Sequence, residues 1–204
     1  METAPPWFWL IAGPNGVGKT TYARAHLKAV AGTVRFVNAD ELARGVSPIE
    51  PEAGKVRAAR LVLQFTAEHI AAGETFALET TLSGHAQLEA MARARAAGFH
   101  VGLLYFTVPE VETCLERIAR RVAMGGHPVP EADVRRRFPR SAANFPRYAA
   151  WADLWRLFDN RGAPAMVAEG TGPAIRWRAE AGHGHFAALL AAFAPPPPAP
   201  PPGE

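Results

Sequence analysis

Cysteine, lysine, aspartate and long hydrophobic runs are all scarce in this sequence, and their scarcity limits the classes of protein it can belong to. Cys114 is the only cysteine among the 204 residues, so an internal disulfide and a cysteine-rich metal site are excluded. No apolar run approaches the roughly 18 residues that a membrane helix needs. The N-terminus also lacks a basic segment followed by an apolar stretch and a cleavage site. We therefore expect a cytoplasmic protein without a membrane partner.

Lysine is so rare that the basic residues are nearly all arginines. Lys19, Lys28 and Lys55 are the only lysines among 22 basic residues, and arginine supplies the other 19. Many of these arginines fall between Arg117 and Arg147. Such a cluster indicates either an anionic partner or a solvated helix face.

The length and the distribution of proline predict one domain followed by a tail. A chain of 204 residues suits a single domain with a sizeable core, which we place at residues 1–194. Residues 195–202 hold seven of the nineteen prolines, and a segment of this kind cannot join a sheet or a helix. We therefore predict a disordered, proline-rich tail at residues 195–204.

Short apolar segments alternate with segments of helical spacing along the predicted domain. This alternation is typical of an α/β fold with a doubly wound, mostly parallel sheet. Ligands of such sheets bind beyond the carboxyl ends of the strands. The predicted strands lie at residues 7–12, 34–37, 75–78, 101–107, 157–158 and 166–167, and the predicted helices at 19–30, 41–44, 52–72, 87–97, 109–122 and from 130 onward.

The segment GPNGVGKT, at residues 13–20, fits the phosphate-binding pattern G-x-x-x-x-G-K-[ST] at every fixed position. Glycines let backbone N–H groups turn inward as an anion nest, and the N-terminus of the following helix adds positive charge. The lysine is expected to reach the β- and γ-phosphates of ATP, and the threonine hydroxyl to bind Mg²⁺. The predicted ATP-binding residues are Gly13, Pro14, Asn15, Gly16, Val17, Gly18, Lys19, Thr20 and Thr21.

Other classes of P-loop protein carry motifs that this sequence does not show. Guanine-specific GTPases need an Asn-Lys-x-Asp element, and none occurs. An AAA-type or ABC-type motor would carry a strongly apolar strand that ends in aspartate, whereas residues 101–107 (VGLLYFT) are followed by Val-Pro. The P-loop NTPase that remains by this reasoning is a small kinase.

A kinase needs a group that accepts the proton of the acceptor hydroxyl, and an aspartate or glutamate usually serves. Asp40 follows the second predicted strand and is the candidate base, with a helix N-cap as the alternative. Glu79 ends the third predicted strand and could bind Mg²⁺ through water or hold the acceptor. Thr80 and Thr81 could bind the acceptor or only shape a turn. The predicted substrate-binding residues are Asp40, Glu79, Thr80 and Thr81, and the predicted metal ligands are Thr20 and Glu79.

Two arginine-rich helical segments are joined by glycines at residues 125–126. This arrangement predicts a small helical lid at about residues 117–147, which would close over the triphosphate and exclude water. Guanidinium groups suit the charge that develops on a transferring phosphoryl group. A solvated basic face is the alternative for each single arginine.

These residues together resemble the zeta-toxin-type P-loop kinases, in particular their short stand-alone members. The matching stretches are collinear from about residue 7 to residue 170 and read LIAGPNGVGKTT, FVNAD, FALETTLSG, AGFHVGLLYFTVP, RRVAMGGHPVPEADVRRRF, RSAANF and LFDN. The resemblance implies a nucleotide-kinase-like core, with Asp40 as the base and Glu79 at the strand-three position. It also implies that Arg121, Arg136 and Arg137 bind phosphate, that the acceptor is UDP-N-acetylglucosamine, and that an antitoxin binds the protein.

The sequence thus predicts an ATP- and Mg²⁺-dependent phosphotransferase whose acceptor is a hydroxyl of a small molecule, such as a nucleotide sugar. A polynucleotide 5′-hydroxyl kinase is one alternative, although the chain lacks the aromatic and basic platform of single-strand binders. A non-catalytic ATP-binding regulatory module is another, but such a module has no use for a base at Asp40. We do not expect nucleic acid as a partner.

Overall fold

The structure is a computed structural model, and it describes residues 4–179 and 184–193. The predicted proline-rich tail at 195–204 lies outside these residues. Within the described ranges, no helix is both long and apolar enough to cross a membrane.

One sheet of seven strands forms the centre of the fold, in the order β2-β3-β1-β4-β5-β6-β7. The first five strands along the chain pair in parallel, and the last two are added in antiparallel fashion. The predicted α/β class with a mostly parallel sheet is therefore confirmed. The strands are β1 (Trp7–Ala12), β2 (Phe36–Val37), β3 (Phe76–Thr80), β4 (His100–Thr107), β5 (Leu154–Asp159), β6 (Ala165–Thr171) and β7 (Ala174–Arg178).

Helices cover both faces of the sheet. Alternate residues of β1 point to opposite faces, so Trp9 and Ile11 join one hydrophobic cluster while Phe8 and Leu10 join the other. The first cluster includes buried residues of α1 and α5, and the second includes buried residues of α4 and α6. The helices are α1 (Lys19–Ala31), α2 (Ala39–Val46), α3 (Pro51–Ala71), α4 (Ala86–Ala96), α5 (Val111–Ala123), α6 (Glu131–Ala149) and α7 (Ala187–Leu190).

Several boundaries differ from the predicted ones. Strand β3 continues through Thr80, so Glu79 and Thr80 lie inside the strand and not after its end. Strands β5 and β6 are longer than the two short segments predicted for them, and β7 was not predicted. Strand β7 lies at the sheet edge with only Ile175 fully buried, so its sequence carries little of the apolar signal by which strands are recognised.

Helix α6 joins two environments. Its first half carries the exposed arginines of the predicted lid segment, including Arg135 and Arg136. Its second half buries Ser141, Phe145 and Tyr148 in or beside the core. The helix thus connects the arginine-rich surface to the body of the domain.

Candidate active site

The phosphate-binding segment lies between β1 and α1, at the carboxyl edge of the parallel strands. Gly13 has a φ of +140°, and a Cβ there would collide with the carbonyl oxygen of Phe106. Gly18 is the residue before α1 and has a φ of +99°. Both positions need a conformation that side chains other than glycine rarely adopt. The fold therefore explains why the loop is rich in glycine, and its geometry fits a cradle for phosphate.

Lys19 is buried within this loop. Its Nζ donates hydrogen bonds to the carbonyl oxygens of Gly13 (2.8 Å) and Pro14 (3.0 Å) and lies 3.8 Å from Oε1 of Glu79. Burial lowers the pKa of Lys19, while the carboxylates of Glu79 and Asp40 act to raise it. The ammonium group is thus held beside Glu79 at the base of the cradle, within the electrostatic influence of Asp40.

Glu79 of β3 links the start of α1 to the residue that follows β2. Its Oε2 accepts hydrogen bonds from the Thr20 hydroxyl (2.7 Å) and from Nδ2 of Asn38 (2.8 Å). Hydroxyl and carboxylate oxygens are ligands that Mg²⁺ accepts, so the residue types at this junction fit that ion. Among the described residues, no group of three or more His, Cys, Asp or Glu side chains could hold a metal. Most ligands of a Mg²⁺ ion here would therefore be phosphate and water oxygens.

Asn38 is the functional residue that the sequence analysis did not identify. Its Oδ1 accepts hydrogen bonds from the backbone N–H groups of Asp40 (2.8 Å) and Glu41 (3.1 Å), so Asn38 is the N-cap of α2. The alternative that Asp40 caps this helix is therefore wrong. Asp40 is exposed in the first turn of α2, close enough to Lys19 to affect its pKa. An asparagine two residues before an aspartate, where a strand passes into a helix, was the available signal.

The two predicted threonines after Glu79 differ in their surroundings. The Thr80 hydroxyl is buried and accepts a hydrogen bond from the Leu82 N–H (3.1 Å), which is a structural use. The Thr81 hydroxyl is half-buried and lies 2.9 Å from that of Ser83. Leu82, between Thr81 and Ser83, has a φ of +56°. Its carbonyl oxygen accepts a hydrogen bond from Nδ2 of Asn144 in α6 (2.7 Å).

The three predicted phosphate-binding arginines lie at different depths. Arg137 is half-buried and donates to Oδ1 of Asn15 in the phosphate loop (3.4 Å) and to Asp133 (3.1 Å). Arg121 donates to the carbonyl of His127 (2.6 Å), and its Nε is buried without a hydrogen-bond partner among the described residues. Arg136 is exposed and binds Asp133 (2.7 Å). The structure thus brings Arg137 to the loop and places Arg136 on the surface.

The far side of the loop is braced by residues that the sequence analysis did not assign to the site. Asn160, at the end of β5, donates from Nδ2 to the carbonyl of Val17 (2.5 Å). Arg117 donates to the same carbonyl (3.5 Å) and to that of Arg161 (2.8 Å). These contacts fix the loop from the α5 and β5 side.

The glycine-rich loop, its buried lysine and the parallel sheet define a P-loop NTPase. Within that class the chain belongs to the family described as "AAA domain", whose model matches residues 8–140. A relative in Haemophilus influenzae, described as an uncharacterized protein, is 32% identical over 126 residues, which are 62% of this chain and 88% of that one.

Solved structures with the same fold include chains of the AvrRxo1-ORF1:AvrRxo1-ORF2 complex and of a toxin–antitoxin system. A chain of the AvrRxo1-ORF1:AvrRxo1-ORF2 complex with sulphate ions matches with a TM-score of 0.69 and 20% identity, covering 92% of this chain and 64% of that one. The complex with ATP matches with a TM-score of 0.63 and 23% identity, covering 84% and 60%. The PezAT toxin–antitoxin system of Streptococcus pneumoniae matches with a TM-score of 0.64 and 17% identity, covering 83% and 73%. This chain thus spans less than two thirds of the matched AvrRxo1 chains.

The family description bears on the exclusion of an AAA-type motor, which rested on the end of β4. The structure places the strand-end acid on β3, where Glu79 lies beside β1 and contacts Thr20. The end of β4 therefore does not decide whether the chain is an AAA-type ATPase, because the acid that contacts the phosphate loop lies on β3. The case for phosphate transfer depends instead on the group that can accept a proton.

Proposed function

We propose that the protein is an ATP-dependent kinase that transfers the γ-phosphate to a hydroxyl group of a small molecule. The observation that carries the proposal is the position of Asp40. This carboxylate is exposed in the first turn of α2 and is held there by the Asn38 cap, and it acts electrostatically on the buried Lys19. A protein that only bound ATP would have no need of an exposed base beside the phosphate loop.

The residues of the loop divide the work of binding ATP. Backbone N–H groups of residues 13–20 surround the phosphates, and Lys19 exchanges its bonds to Gly13 and Pro14 for bonds to the β- and γ-phosphate oxygens. Thr20 and Glu79 would hold Mg²⁺, which neutralises charge on the phosphates when it is bound.

In the transfer step, Asp40 accepts the proton of the acceptor hydroxyl as the hydroxyl oxygen bonds to the γ-phosphorus. The bond between that phosphorus and the β–γ bridging oxygen breaks, and ADP leaves with the electron pair. Arg137 and Arg121, with Arg136 at the surface, supply positive charge where the transferring group becomes more negative. Closure of the α5–α6 segment over the loop would bring these guanidinium groups closer and exclude water.

For the acceptor, the resemblance to zeta-toxin-type kinases favours a nucleotide sugar such as UDP-N-acetylglucosamine. The similarity in fold to a chain of the PezAT toxin–antitoxin system supports an antitoxin as the protein partner. Thr81 is the half-buried hydroxyl near Glu79 that could bind the acceptor.

The test is an acceptor screen with the wild-type protein and the Asp40→Asn variant. ATP consumption is measured with nucleotide sugars, free sugars, nucleosides and 5′-hydroxyl oligonucleotides. We expect acceptor-dependent ADP release with a small molecule. Asp40→Asn should keep ATP affinity and lose on the order of 10²–10⁴ in rate, the usual cost of a lost general base. Asn38, which caps α2, is untouched by this change, so the fold should remain.

Two outcomes would replace this function with another. Consumption only with oligonucleotides would identify a polynucleotide kinase. ATP binding without consumption under any acceptor would identify a binding module. If Asp40→Asn abolished ATP binding as well as transfer, Asp40 would belong to the metal site and would not be the base.

A further inference from the structure

A cavity of about 430 Å³ lies beside the candidate active site, between the edge strand β2 and the helices α2 and α3. Its volume falls in the range of small-molecule sites. The apolar part of its lining includes Phe36 of β2, Leu42 of α2 and Phe65 of α3. None of the residue roles assigned above uses this space.

The cavity is connected to the site through Asn38. This residue lines the cavity, and its Nδ2 donates to Glu79, which in turn binds the Thr20 hydroxyl. Glu41, which follows Asp40 in α2, also lines the cavity. A molecule in the cavity therefore lies one side chain from Glu79 and beside the turn that carries the proposed base. This is where the non-reacting part of an acceptor would bind.

The charged groups of the lining select against phosphate. Two carboxylates, Glu41 and Glu68, line the cavity, and no lysine or arginine is among the described residues of its lining. Each is fixed through one oxygen: Oε1 of Glu41 accepts from Arg24 (2.9 Å), and Oε1 of Glu68 accepts from Gln64 (2.7 Å). An anionic ligand would meet like charge with no compensating cation in the lining. Carboxylates accept hydrogen bonds only, so the matching ligand groups are donors such as hydroxyls.

The remaining walls suit a ring. Phe36 and Phe65 are partly buried, so each has apolar surface left to cover. His69 adds a third ring, fixed by Glu74 (3.1 Å) on its Nδ1. Aromatic faces pack against the C–H groups of a sugar ring while carboxylates accept bonds from its hydroxyls. We infer that the cavity binds an uncharged sugar ring and excludes phosphate. The inference rests on the proposed function in one respect: the acceptor of the kinase would be a neutral sugar held in this cavity, in contrast to the nucleotide sugar that the resemblance favours.

The test is saturation-transfer NMR on the full chain without ATP. The probes are glucose, ribose and N-acetylglucosamine as neutral sugars, with glucose 1-phosphate and N-acetylglucosamine 1-phosphate as anionic counterparts. The variant Phe65→Trp fills the cavity, and Leu63→Trp adds similar bulk on the exposed surface of the same helix, where Leu63 is 56% exposed. Glu68→Lys replaces one lining carboxylate by a cation.

At least one neutral sugar should give saturation transfer with the wild-type protein and with Leu63→Trp, and the signal should be lost with Phe65→Trp. The phosphorylated sugars should bind more weakly than their neutral forms, and Glu68→Lys should reverse that order. If no neutral sugar binds, if Phe65→Trp binds as well as Leu63→Trp, or if phosphorylated sugars bind more tightly to the wild-type protein, the inference is overturned.

The two proposals fail separately. Sugar binding without phosphate transfer would contradict the kinase and leave the cavity assignment intact. Transfer to an acceptor whose affinity is unchanged by Phe65→Trp and Glu68→Lys would contradict the cavity assignment and leave the kinase intact.

Discussion

The contact between Asn38 and Glu79 can be tested by replacing an amide with the carboxyl group of the same shape. In Asn38→Asp, the oxygen that caps α2 remains, and aspartate caps helices about as well as asparagine. In the wild-type protein Nδ2 of Asn38 donates to Glu79 over 2.8 Å. The substitution replaces this donor by a carboxyl oxygen, which carries no proton when the group is ionised. The substitution therefore separates the cap from the contact with Glu79.

The loss in free energy of unfolding caused by Asn38→Asp follows from the burial of this contact and the charge that it gains. Asn38 and Glu79 are 5% and 13% exposed, so little solvent screens them. A hydrogen bond to a charged group is worth about 1.5–3 kcal/mol, and two carboxylates about 4 Å apart repel by about 4 kcal/mol at an effective dielectric constant of about 20. Retention of one shared proton relieves part of this repulsion. We expect Asn38→Asp to lower the free energy of unfolding by about 2–5 kcal/mol at pH 8.

The pH dependence has a definite sign. Because the folded variant holds a shared proton that the unfolded chain releases, its stability falls as pH rises. The loss relative to wild type should be small near pH 4.5, where the shared proton replaces the lost donor, and should grow toward pH 8. Urea denaturation at both pH values measures it.

The control is the double variant Asn38→Asp with Glu79→Gln, which exchanges the amide and the acid. The new amide can donate to the new carboxylate, so most of the lost stability should return, and the coupling energy of the cycle measures the pair. An Asn38→Asp variant as stable as wild type at pH 8, or a double variant no more stable than the single one, would refute the assigned contact.

Two further predictions concern the phosphate loop and its arginines. Lys19→Ala should abolish the stabilisation of the protein by MgATP in thermal unfolding, because the other two lysines, Lys28 and Lys55, lie outside the loop; a wild-type shift in melting temperature with MgATP would contradict the role of Lys19. Arg137→Ala should lower kcat more than it raises KM for ATP, because the activation barrier of transfer should rise by about 2–4 kcal/mol. Arg136→Ala should raise that barrier less, because Arg136 is exposed and bound to Asp133. Arg147→Ala, an exposed arginine of the same helix, is the control in steady-state kinetics, and equal effects of the three substitutions would show that α6 has no specific phosphate contact.

The fold could be predicted from local signals because its central strands are buried and apolar, and because glycines and prolines mark the ends of its helices and strands. Strand β1 matches its predicted range at both ends, and α1 and β4 differ by one residue each. Strand β7 could not be predicted in the same way. It is formed by pairing with β6 at the sheet edge, and its exposed Arg-Trp-Arg sequence contains no periodic apolar pattern.

The candidate site shows the same difference between features that are local in sequence and contacts between distant residues. The loop at residues 13–20 could be recognised because its chemistry is contiguous in sequence. The partners of Glu79 could not, since Thr20 and Asn38 are 59 and 41 residues away along the chain. The sequence predicts Asp40 as the base and leaves a helix cap as its alternative role. The cap belongs to Asn38, because both residue types cap helices and only the backbone path decides between them.

Three hydrogen-bond donors of the phosphate loop make contacts with which the phosphates of ATP would compete. Lys19 donates hydrogen bonds to two backbone carbonyls, and the Thr20 hydroxyl donates one to the carboxylate of Glu79. The ammonium group of Lys19 already makes charge-assisted bonds to these carbonyls, but phosphate oxygens add a full opposite charge, so the exchange at Lys19 favours the nucleotide. The bond from the Thr20 hydroxyl to the Glu79 carboxylate is also charge-assisted. Its loss must be offset by the contacts that both residues would make with Mg²⁺. Asn38 donates to Glu79 and caps α2, and phosphate in the loop competes for neither contact, so we expect the carboxylate and Asp40 to remain in place during that exchange. The buried amide of Asn38 thus keeps the acid at the loop and the proposed base in one fixed arrangement.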